Sequence, residues 1–383
     1  MTAKTFDVVV IGSGVFGAWS AWHLAKRGQR VALVDAYGPG NARASSAGES
    51  RIIRMGYGTD ELYTRSSQRS LEQWKSFIAG TGQQLFYETG VLWLAGADDS
   101  RVRQSMATLQ RCGVPFEEME RADLERRYPQ VSFEHVTRGF FEPHSGVLLA
   151  RRAVAAVAAD AVKHGVDYRV AQAETPHGSG RLDAVQCASG DSLSAGQFVF
   201  ACGPWLAKLF PDLLGSRIFP SRQEVFFFGV PPGDARFAPP ALPTWLFQED
   251  EYYGMPDIEG RGLKIALDRH GEAVDPDTQM HIVTAEEARV VSAYVAKRFP
   301  ALRNAPIVET RVCQYENTSN GDFLIDRHLA MENVWLVGGG SGHGFKHGPA
   351  VGEYVANQLL KSGPAEPRYS LQTKETVQHR TVF

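Results

Sequence analysis

The chain has 383 residues, of which 43% are hydrophobic and 22% charged, and its formal net charge is −3. This length predicts two domains or one domain with a large insertion. The charge gives no support for nucleic-acid binding, and no apolar run approaches the roughly 18 residues of a membrane span. Four scattered cysteines favour neither a disulfide framework nor a zinc site. We therefore expect a cytoplasmic protein without a metal centre and without a membrane or nucleic-acid partner.

The start of the chain has the pattern of a βαβ unit. The apolar run Phe6–Ile11 leads into Gly12-x-Gly14-x-x-Gly17, and a helical pattern follows over residues 15–27. A second strand over residues 30–34 ends beside Asp35. An isolated glycine motif would be compatible with an ordinary turn, but strand, helix, second strand and acidic residue occur here in the order of a dinucleotide-binding unit.

Each residue of this motif has an expected task. Gly12 allows the tight turn, Gly14 lets a pyrophosphate approach the backbone, and Gly17 lets helix and strand pack closely. The helix beginning at Val15 offers unpaired N–H groups and its positive dipole end to the phosphates. Asp35 accepts hydrogen bonds from ribose hydroxyls and repels a 2′-phosphate.

A long loop rich in Gly, Ala and Ser follows and ends in Arg51 and Arg54, which would lie side by side if this segment formed a helical turn. Further patterns predict helices over residues 63–78, 99–112, 150–164, 286–299 and 350–361, and strands over 85–88, 90–94, 166–170, 197–203, 224–229, 260–268 and 333–338.

The order of these elements predicts an α/β protein with two interleaved domains. Residues 1–80, 150–216 and 319–383 would form a discontinuous Rossmann-like domain, and residues 81–149 and 217–318 an α+β substrate domain with a mostly antiparallel sheet. The last strand runs into the glycine cluster at 338–344 and then a helix, which repeats the pattern of the opening. This cluster would give the cofactor a second glycine-rich contact far along the chain from the first. No second complete glycine motif is present to hold NAD(P)H, and both observations favour FAD.

Four segments carry a resemblance to a known family: residues 44–54, residues 252–256 with 262–265, residues 313–318 with 322–328, and residues 341–346. They resemble the monomeric sarcosine oxidase and N-methyltryptophan oxidase family of D-amino-acid-oxidase-like (DAO-like) flavoproteins, in the same order and over nearly the full length. The resemblance implies a monomeric amine oxidase that binds FAD through a cysteine thioether, oxidises the C–N bond of an amine or amino acid to an imine, and reduces O2 to H2O2.

The resemblance also implies site residues. Cys313 would link the flavin, Lys264 would activate O2, and Arg54 with Lys346 would bind the substrate carboxylate. Without the resemblance, Cys313 would be interpreted as a small buried residue and Lys264 as a strand lysine that extends to solvent. The substrate pocket would be lined by Tyr253 and Tyr315, and further cofactor contacts would be Ser50, Arg51, Gly203, Trp205, His343, Gly344, Phe345 and Lys346.

The chain departs from the family pattern at several positions. Asp268 replaces a pocket histidine, Ser46 and Ala47 replace paired histidines, and Glu316 follows the Cys-x-Tyr motif where another residue is usual. A pocket carboxylate favours a substrate with a second cationic group, so sarcosine itself is in doubt. Two alternatives stay open: a dehydrogenase with an acceptor other than O2, and a biosynthetic oxidase acting on a cyclic imine or a carrier-bound substrate.

Overall fold

A computed structural model describes residues 6–379. Within this part of the chain the strands are β1 (Phe6–Ile11), β2 (Val31–Asp35), β3 (Arg51–Ile53), β4 (Phe86–Tyr87), β5 (Val91–Ala95), β6 (Glu117–Glu120), β7 (Arg138–Glu142), β8 (Gly146–Leu148), β9 (Asp167–Val170), β10 (Ala184–Gln186), β11 (Ser192–Phe200), β12 (Ile218–Phe228), β13 (Thr244–Phe247), β14 (Tyr252–Met255), β15 (Leu263–Leu267), β16 (Ile307–Thr318), β17 (Leu324–Arg327) and β18 (Val334–Gly338). The helices are α1 (Val15–Lys26), α2 (Glu61–Thr81), α3 (Ser100–Arg111), α4 (Arg121–Arg127), α5 (Ala150–Lys163), α6 (Leu206–Leu209), α7 (Pro211–Leu214), α8 (Ala285–Arg298) and α9 (Gly348–Leu359). None of them is both long and apolar enough to cross a membrane.

A mostly parallel sheet gathers strands from distant parts of the chain. Its order is β17-β18-β11-β1-β2-β9, with β10 paired antiparallel to β11 and β17 antiparallel to β18. Both faces of β1 are buried: Val8 and Val10 pack with α1 and α9, whereas Val9 and Ile11 pack with the opposite core. This explains the unbroken apolar run at the start, which is typical of a central parallel strand.

A second sheet has the order β16-β12-β15-β14-β13-β5-β7-β6 and is antiparallel except for the pairing of β5 with β13. The long pair β12 and β16 borders it, and β16 carries Cys313 and Glu316. A small antiparallel sheet has the order β3-β8-β4, with Arg51 in β3 and Arg54 directly after that strand. The predicted combination of a Rossmann-like parallel sheet with a separate antiparallel sheet is confirmed, while the exact domain boundaries stay a prediction.

Two local predictions need correction. Residues 51–53 form the strand β3 and not a helical turn, because they pair with β8. The helix predicted over residues 63–78 is longer and extends over Glu61–Thr81, since Asp60 caps its start by accepting a hydrogen bond from the Tyr63 N–H. The polar stretch after residue 117 forms β6 and α4, elements that its charged sequence did not predict.

Candidate cofactor and substrate site

A cavity of about 380 Å³ lies at the carboxyl ends of the parallel strands β1, β2, β11 and β18. This edge of a parallel sheet is where nucleotide ligands bind in such folds. Its walls are formed by the first glycine turn (residues 12–17), the long loop after β2, the end of β11, strand β16 and the second glycine turn (residues 338–344). Among the predicted cofactor contacts, Gly12, Gly14, Val15, Asp35, Arg51, Gly203, Trp205, Gly344 and Phe345 line this cavity.

The first turn has the close backbone approach that only glycine permits. Gly12 has φ +99°, and a Cβ on it would lie 2.3 Å from the Ala201 carbonyl oxygen. A Cβ on Gly17 would lie 1.8 Å from the Gly12 carbonyl oxygen, so helix α1 packs directly on the turn. These contacts keep the cavity wall free of side chains, which fits a pyrophosphate bound at the start of α1.

Two polar groups expected to contact the cofactor already have hydrogen-bond partners within the protein. Asp35 accepts hydrogen bonds from the N–H groups of Ser13 (2.7 Å), Tyr37 (2.8 Å) and Gly38 (2.8 Å). The Val15 N–H donates to Ser46 Oγ over 3.1 Å, so Ser46 occupies one donor at the helix start. Because Asp35 also lines the cavity, its carboxylate both stiffens the turn and faces the ligand space.

A smaller cavity of about 60 Å³ adjoins the first, and Arg51, Tyr315, Gly342 and Phe345 line both. The smaller cavity brings together the predicted substrate residues Arg54, Tyr253, Asp268, Tyr315 and Lys346, and it also contains His270, which was not predicted. A pair of cavities that share a wall suits a cofactor ring placed against a small substrate.

The two predicted carboxylate-binding cations are both buried. Arg54 is 5% exposed, and its guanidinium lies over the rings of Tyr57 (4.6 Å) and Trp93 (4.7 Å) while donating to the Gly56 carbonyl. Lys346 Nζ donates to the Tyr57 hydroxyl (2.8 Å) and to the His343 carbonyl (2.9 Å). Since no carboxylate of residues 6–379 forms an ion pair with Arg54, its charge is available to an anionic ligand.

A second group of predicted site residues consists of Lys264, Ser50, Arg51 and Cys313. Lys264 is 2% exposed, and its Nζ donates to the Ser50 carbonyl (2.6 Å) and to Ser50 Oγ (3.1 Å). Burial and the nearby Arg51 charge lower the pKa of Lys264 to about 7. Arg51 Nη2 lies 3.6 Å from Cys313 Sγ and donates a weak hydrogen bond to it. Lys264 and Ser50 line a third cavity and neither of the two described above.

Tyr253 and Tyr315 are half-buried tyrosines that line the small cavity together, and burial is the largest effect on the pKa of each. It raises the pKa of Tyr253 to about 12 and that of Tyr315 well above its ordinary value, so both hydroxyls stay protonated at neutral pH. They supply neutral hydrogen-bond donors and aromatic walls to the small cavity.

His343, which was predicted to contact the cofactor, packs in an aromatic cluster beside the small cavity. Its ring stacks on Phe323 at 5.0 Å, and its two ring nitrogens lie 3.2 Å from the Tyr57 hydroxyl and 3.0 Å from the Gly321 carbonyl. His343 and Lys346 line the small cavity, and neither of them lines the cofactor cavity. The bends around the glycines of this turn direct the imidazole back into an aromatic cluster.

Tyr57 and His347 were missed by the sequence analysis, although both position the predicted residues. The Tyr57 hydroxyl lies 2.8 Å from His347 Nε2 and also contacts Lys346, while His347 Nδ1 lies 2.8 Å from Ser66 Oγ. Burial is the main cause of a His347 pKa well below the ordinary value, so its imidazole is neutral. One sequence signal was present for each residue: Tyr57 comes three residues after Arg54, and His347 directly follows Lys346.

Comparisons with known proteins agree with this geometry. Residues 7–358 match the family model described as DAO, FAD dependent oxidoreductase. The chain is 30% identical to the monomeric sarcosine oxidase of Streptomyces avermitilis, with 95% of this chain and 96% of the relative covered. It is 27% identical to the N-methyl-L-tryptophan oxidase of Salmonella arizonae, covering 94% of this chain and 96% of that one.

Among solved structures, the fold resembles the L-proline dehydrogenase from P. horikoshii with a TM-score of 0.83 and 25% identity, covering 96% of this chain and 97% of that one. The family match extends over almost the whole described chain, and the glycine-lined cavity fits the cofactor that the family is named for. The resemblance stated from the motifs is therefore confirmed, and the chain belongs to the DAO family of FAD-dependent oxidoreductases.

Proposed function

We propose that this enzyme oxidises the C–N bond of a secondary amine, such as an N-alkyl or cyclic amino acid, to an imine and passes the electrons to O2, forming H2O2. The observation that carries the proposal is the convergence of two buried cations, Arg54 and Lys346, on a small cavity next to the cofactor cavity. The relatives named sarcosine oxidase and N-methyl-L-tryptophan oxidase support an N-methyl amino acid as the substrate class.

The carboxylate of an amino acid would bind between Arg54 and Lys346. Charge-assisted hydrogen bonds from two fixed donors orient the substrate as well as bind it. Arg54 is held by Tyr57 and Trp93, and Lys346 by Tyr57 and the His343 carbonyl, so neither has to be ordered when the substrate arrives. The neutral tyrosine pair, Tyr253 and Tyr315, would then face the rest of the substrate.

Bound FAD supplies the two-electron acceptor for the substrate. The amine has to be uncharged to give up its electrons, so turnover falls at low pH. Asp268 faces the same cavity and provides a carboxylate near a second cationic group of the substrate, which would set this enzyme apart from an oxidase of sarcosine itself.

Lys264 is the proposed residue for O2 activation, since a fixed cation in a dry site stabilises negative charge developing on oxygen. Cys313 is the proposed site of covalent FAD attachment, because it matches the family's flavin-linking cysteine and its sulfur contacts Arg51, which lines the cofactor cavity. The proposal includes a monomeric, cytoplasmic enzyme.

A dehydrogenase with another electron acceptor is the second candidate. Two observations favour it: the similarity to the L-proline dehydrogenase from P. horikoshii, and the placement of Lys264 in a cavity separate from the substrate cavity. The two candidates share the reductive half of the reaction and differ only in the acceptor.

One experiment distinguishes these candidates. A panel of N-methyl, cyclic and primary amino acids is mixed anaerobically with the enzyme, and loss of the oxidised flavin absorbance identifies substrates. Air is then admitted, and H2O2 is measured with peroxidase. Flavin bleaching followed by stoichiometric H2O2 supports the oxidase. Bleaching that persists in air, but is reversed by a quinone analogue, supports the dehydrogenase. No bleaching by any amine contradicts both.

A further inference from the structure

One buried carboxyl in the cofactor cavity has no part in the chemistry proposed above. Glu316 lies in β16, is 6% exposed and lines the cavity of about 380 Å³. Its Oε1 atom has no hydrogen-bond partner within residues 6–379. Burying a polar atom without a partner is costly, so an unpartnered carboxyl oxygen in a ligand cavity indicates that a ligand group completes it.

The surrounding backbone is shaped around this carboxyl. A Cβ placed on Gly338 would lie only 2.2 Å from Glu316 Oε1, so the glycine at the end of β18 makes room for the acid. The Ser341 N–H donates to the Glu316 backbone carbonyl over 2.8 Å and fastens β16 to the second glycine turn. The Glu316 backbone is therefore fixed to the second glycine turn, and its carboxyl lies close to the Gly338 backbone.

The local chemistry favours the protonated acid. Burial raises the pKa of Glu316 to about 8. The N–H groups of Gly339 and Gly340 lie near the carboxyl and partly oppose this by favouring the ionised form, but neither has hydrogen-bond geometry to Oε1. No charged side chain contributes to the shift. At neutral pH the acid thus keeps its proton and presents one O–H donor besides its acceptor oxygens.

We propose that Glu316 is a direct hydrogen-bond contact of bound FAD and that the proton on its carboxyl is coupled to the redox state of the cofactor. Reduction adds negative charge to FAD, and a protonated neighbour stabilises that charge better than an ionised one. By linkage, the Glu316 proton is held more tightly in the reduced enzyme than in the oxidised enzyme. The inference rests on FAD binding alone and not on the proposed amine substrate or on O2 as acceptor.

Other ionisable groups face the same cavity and define the background for this titration. They are Asp35, Tyr37, Arg51, Cys202, Lys208, Asp277 and Tyr315. Lys208 and Asp277 form an ion pair, Asp35 is bonded to three backbone N–H groups, and burial raises the pKa of Cys202. The partner strand places Pro220 opposite Glu316, so β12 brings no charge there.

The test is the midpoint potential of FAD in the holoenzyme as a function of pH. Potentials are measured between about pH 6 and pH 10, two units on each side of the pKa of about 8. In the unaltered enzyme the slope of the midpoint potential against pH changes near or above pH 8, by the amount expected for one proton per two electrons. E316Q and E316L lose this change of slope. D277N, which removes an ion-paired carboxylate from the same cavity, keeps it.

A change of slope that persists at the same pH in E316Q overturns the proposal. The proposal is also overturned if the unaltered enzyme shows no transition over this pH range, either in the slope of its potential or in its oxidised flavin absorbance. This second outcome does not depend on the folding of any variant. Substrate turnover does not enter these measurements, so a failed oxidase assay leaves their interpretation unchanged.

Discussion

Cys313 and Cys202 lie close to the same cavity in opposite environments. Cys313 Sγ is 3.6 Å from the Arg51 guanidinium, whereas Cys202 donates to the Ile11 carbonyl, and burial raises its pKa. Acid denaturation should leave the yellow chromophore attached to the unaltered chain and to C202A, and should release it completely from C313A. Chromophore absorbance in the protein precipitate measures this. Release from the unaltered chain would show that FAD is not covalently bound.

Arg54 should contribute mainly to substrate binding. A charge-assisted hydrogen bond is worth about 1.5–3 kcal/mol, so R54M should raise KM roughly 10- to 100-fold in steady-state assays. R54K should fall between R54M and the unaltered enzyme, because lysine keeps the charge but lacks the planar guanidinium that lies over Tyr57 and Trp93. The control is R65M, an exposed partner of Glu61 on α2. An unchanged KM in R54M would place the carboxylate elsewhere.

The proposed role of Lys264 predicts a defined pH dependence for the oxidative half-reaction. Its pKa is lowered from 10.5 to about 7, so the ammonium is present below pH 7 and lost as the pH rises through that value. The rate of flavin reoxidation by O2, measured by stopped flow, should therefore decrease above pH 7 in the free reduced enzyme.

K264M should lack this pH dependence and reoxidise about 10²- to 10³-fold more slowly, the range typical of losing one fixed electrostatic contact. K208M, which removes an exposed cation from the rim of the cofactor cavity, should behave like the unaltered enzyme. If K264M reoxidises at the unaltered rate and with the same pH profile, another group activates O2.

At the scale of elements, two glycines can be compared, Gly17 in the first glycine turn and Gly80 in α2. In G17A the new Cβ would lie 1.8 Å from the Gly12 carbonyl oxygen, so α1 must move away from β1 and FAD uptake should be lost. G80A, near the end of α2, meets no atom within 4 Å and should stabilise the protein by about 0.5–1 kcal/mol. Flavin content and urea unfolding measure the two effects. Full FAD uptake by G17A would contradict the close packing.

The sequence predicted elements well where one local pattern dominated. The βαβ opening and helix α5 were recognisable because their apolar periodicity is strong. The segment Arg51–Ile53 could not be assigned from its sequence, because a three-residue strand is defined only by pairing with β8, almost a hundred positions away. His343 shows the same limit, since its partners Phe323 and Tyr57 come from distant parts of the chain.

The cofactor cavity joins the two large sheets of the molecule. Gly12 and Asp35 contribute from the parallel sheet, and Gln314 and Glu316 from β16 of the antiparallel sheet. FAD should therefore stabilise the whole fold: a ligand at 100 times its Kd adds about 2.7 kcal/mol. Thermal unfolding of C313A, first freed of FAD and then titrated with it, measures this gain.

ADP, which represents half of the cofactor, is the control in that titration. It should give a smaller gain in thermal stability at equal saturation of the site, because it leaves the flavin end of the cavity empty and cannot bridge both sheets. Equal stabilisation by ADP and FAD at the same multiple of their Kd values would fit a ligand held by the parallel sheet alone, and the bridging role would be wrong.

The pairing of β1 with β11 and of β11 with β18 has a consequence for how the protein matures in the cell. The ribosome makes the first glycine turn early, yet its supporting strand emerges almost 190 residues later and the second glycine turn more than 300 residues later. Domains fold as units during synthesis, and pairing across such separations is slow. We therefore expect flavin loading to be a late event in biogenesis, because one edge of the apolar strand Phe6–Ile11 has no partner strand until β11 has been made.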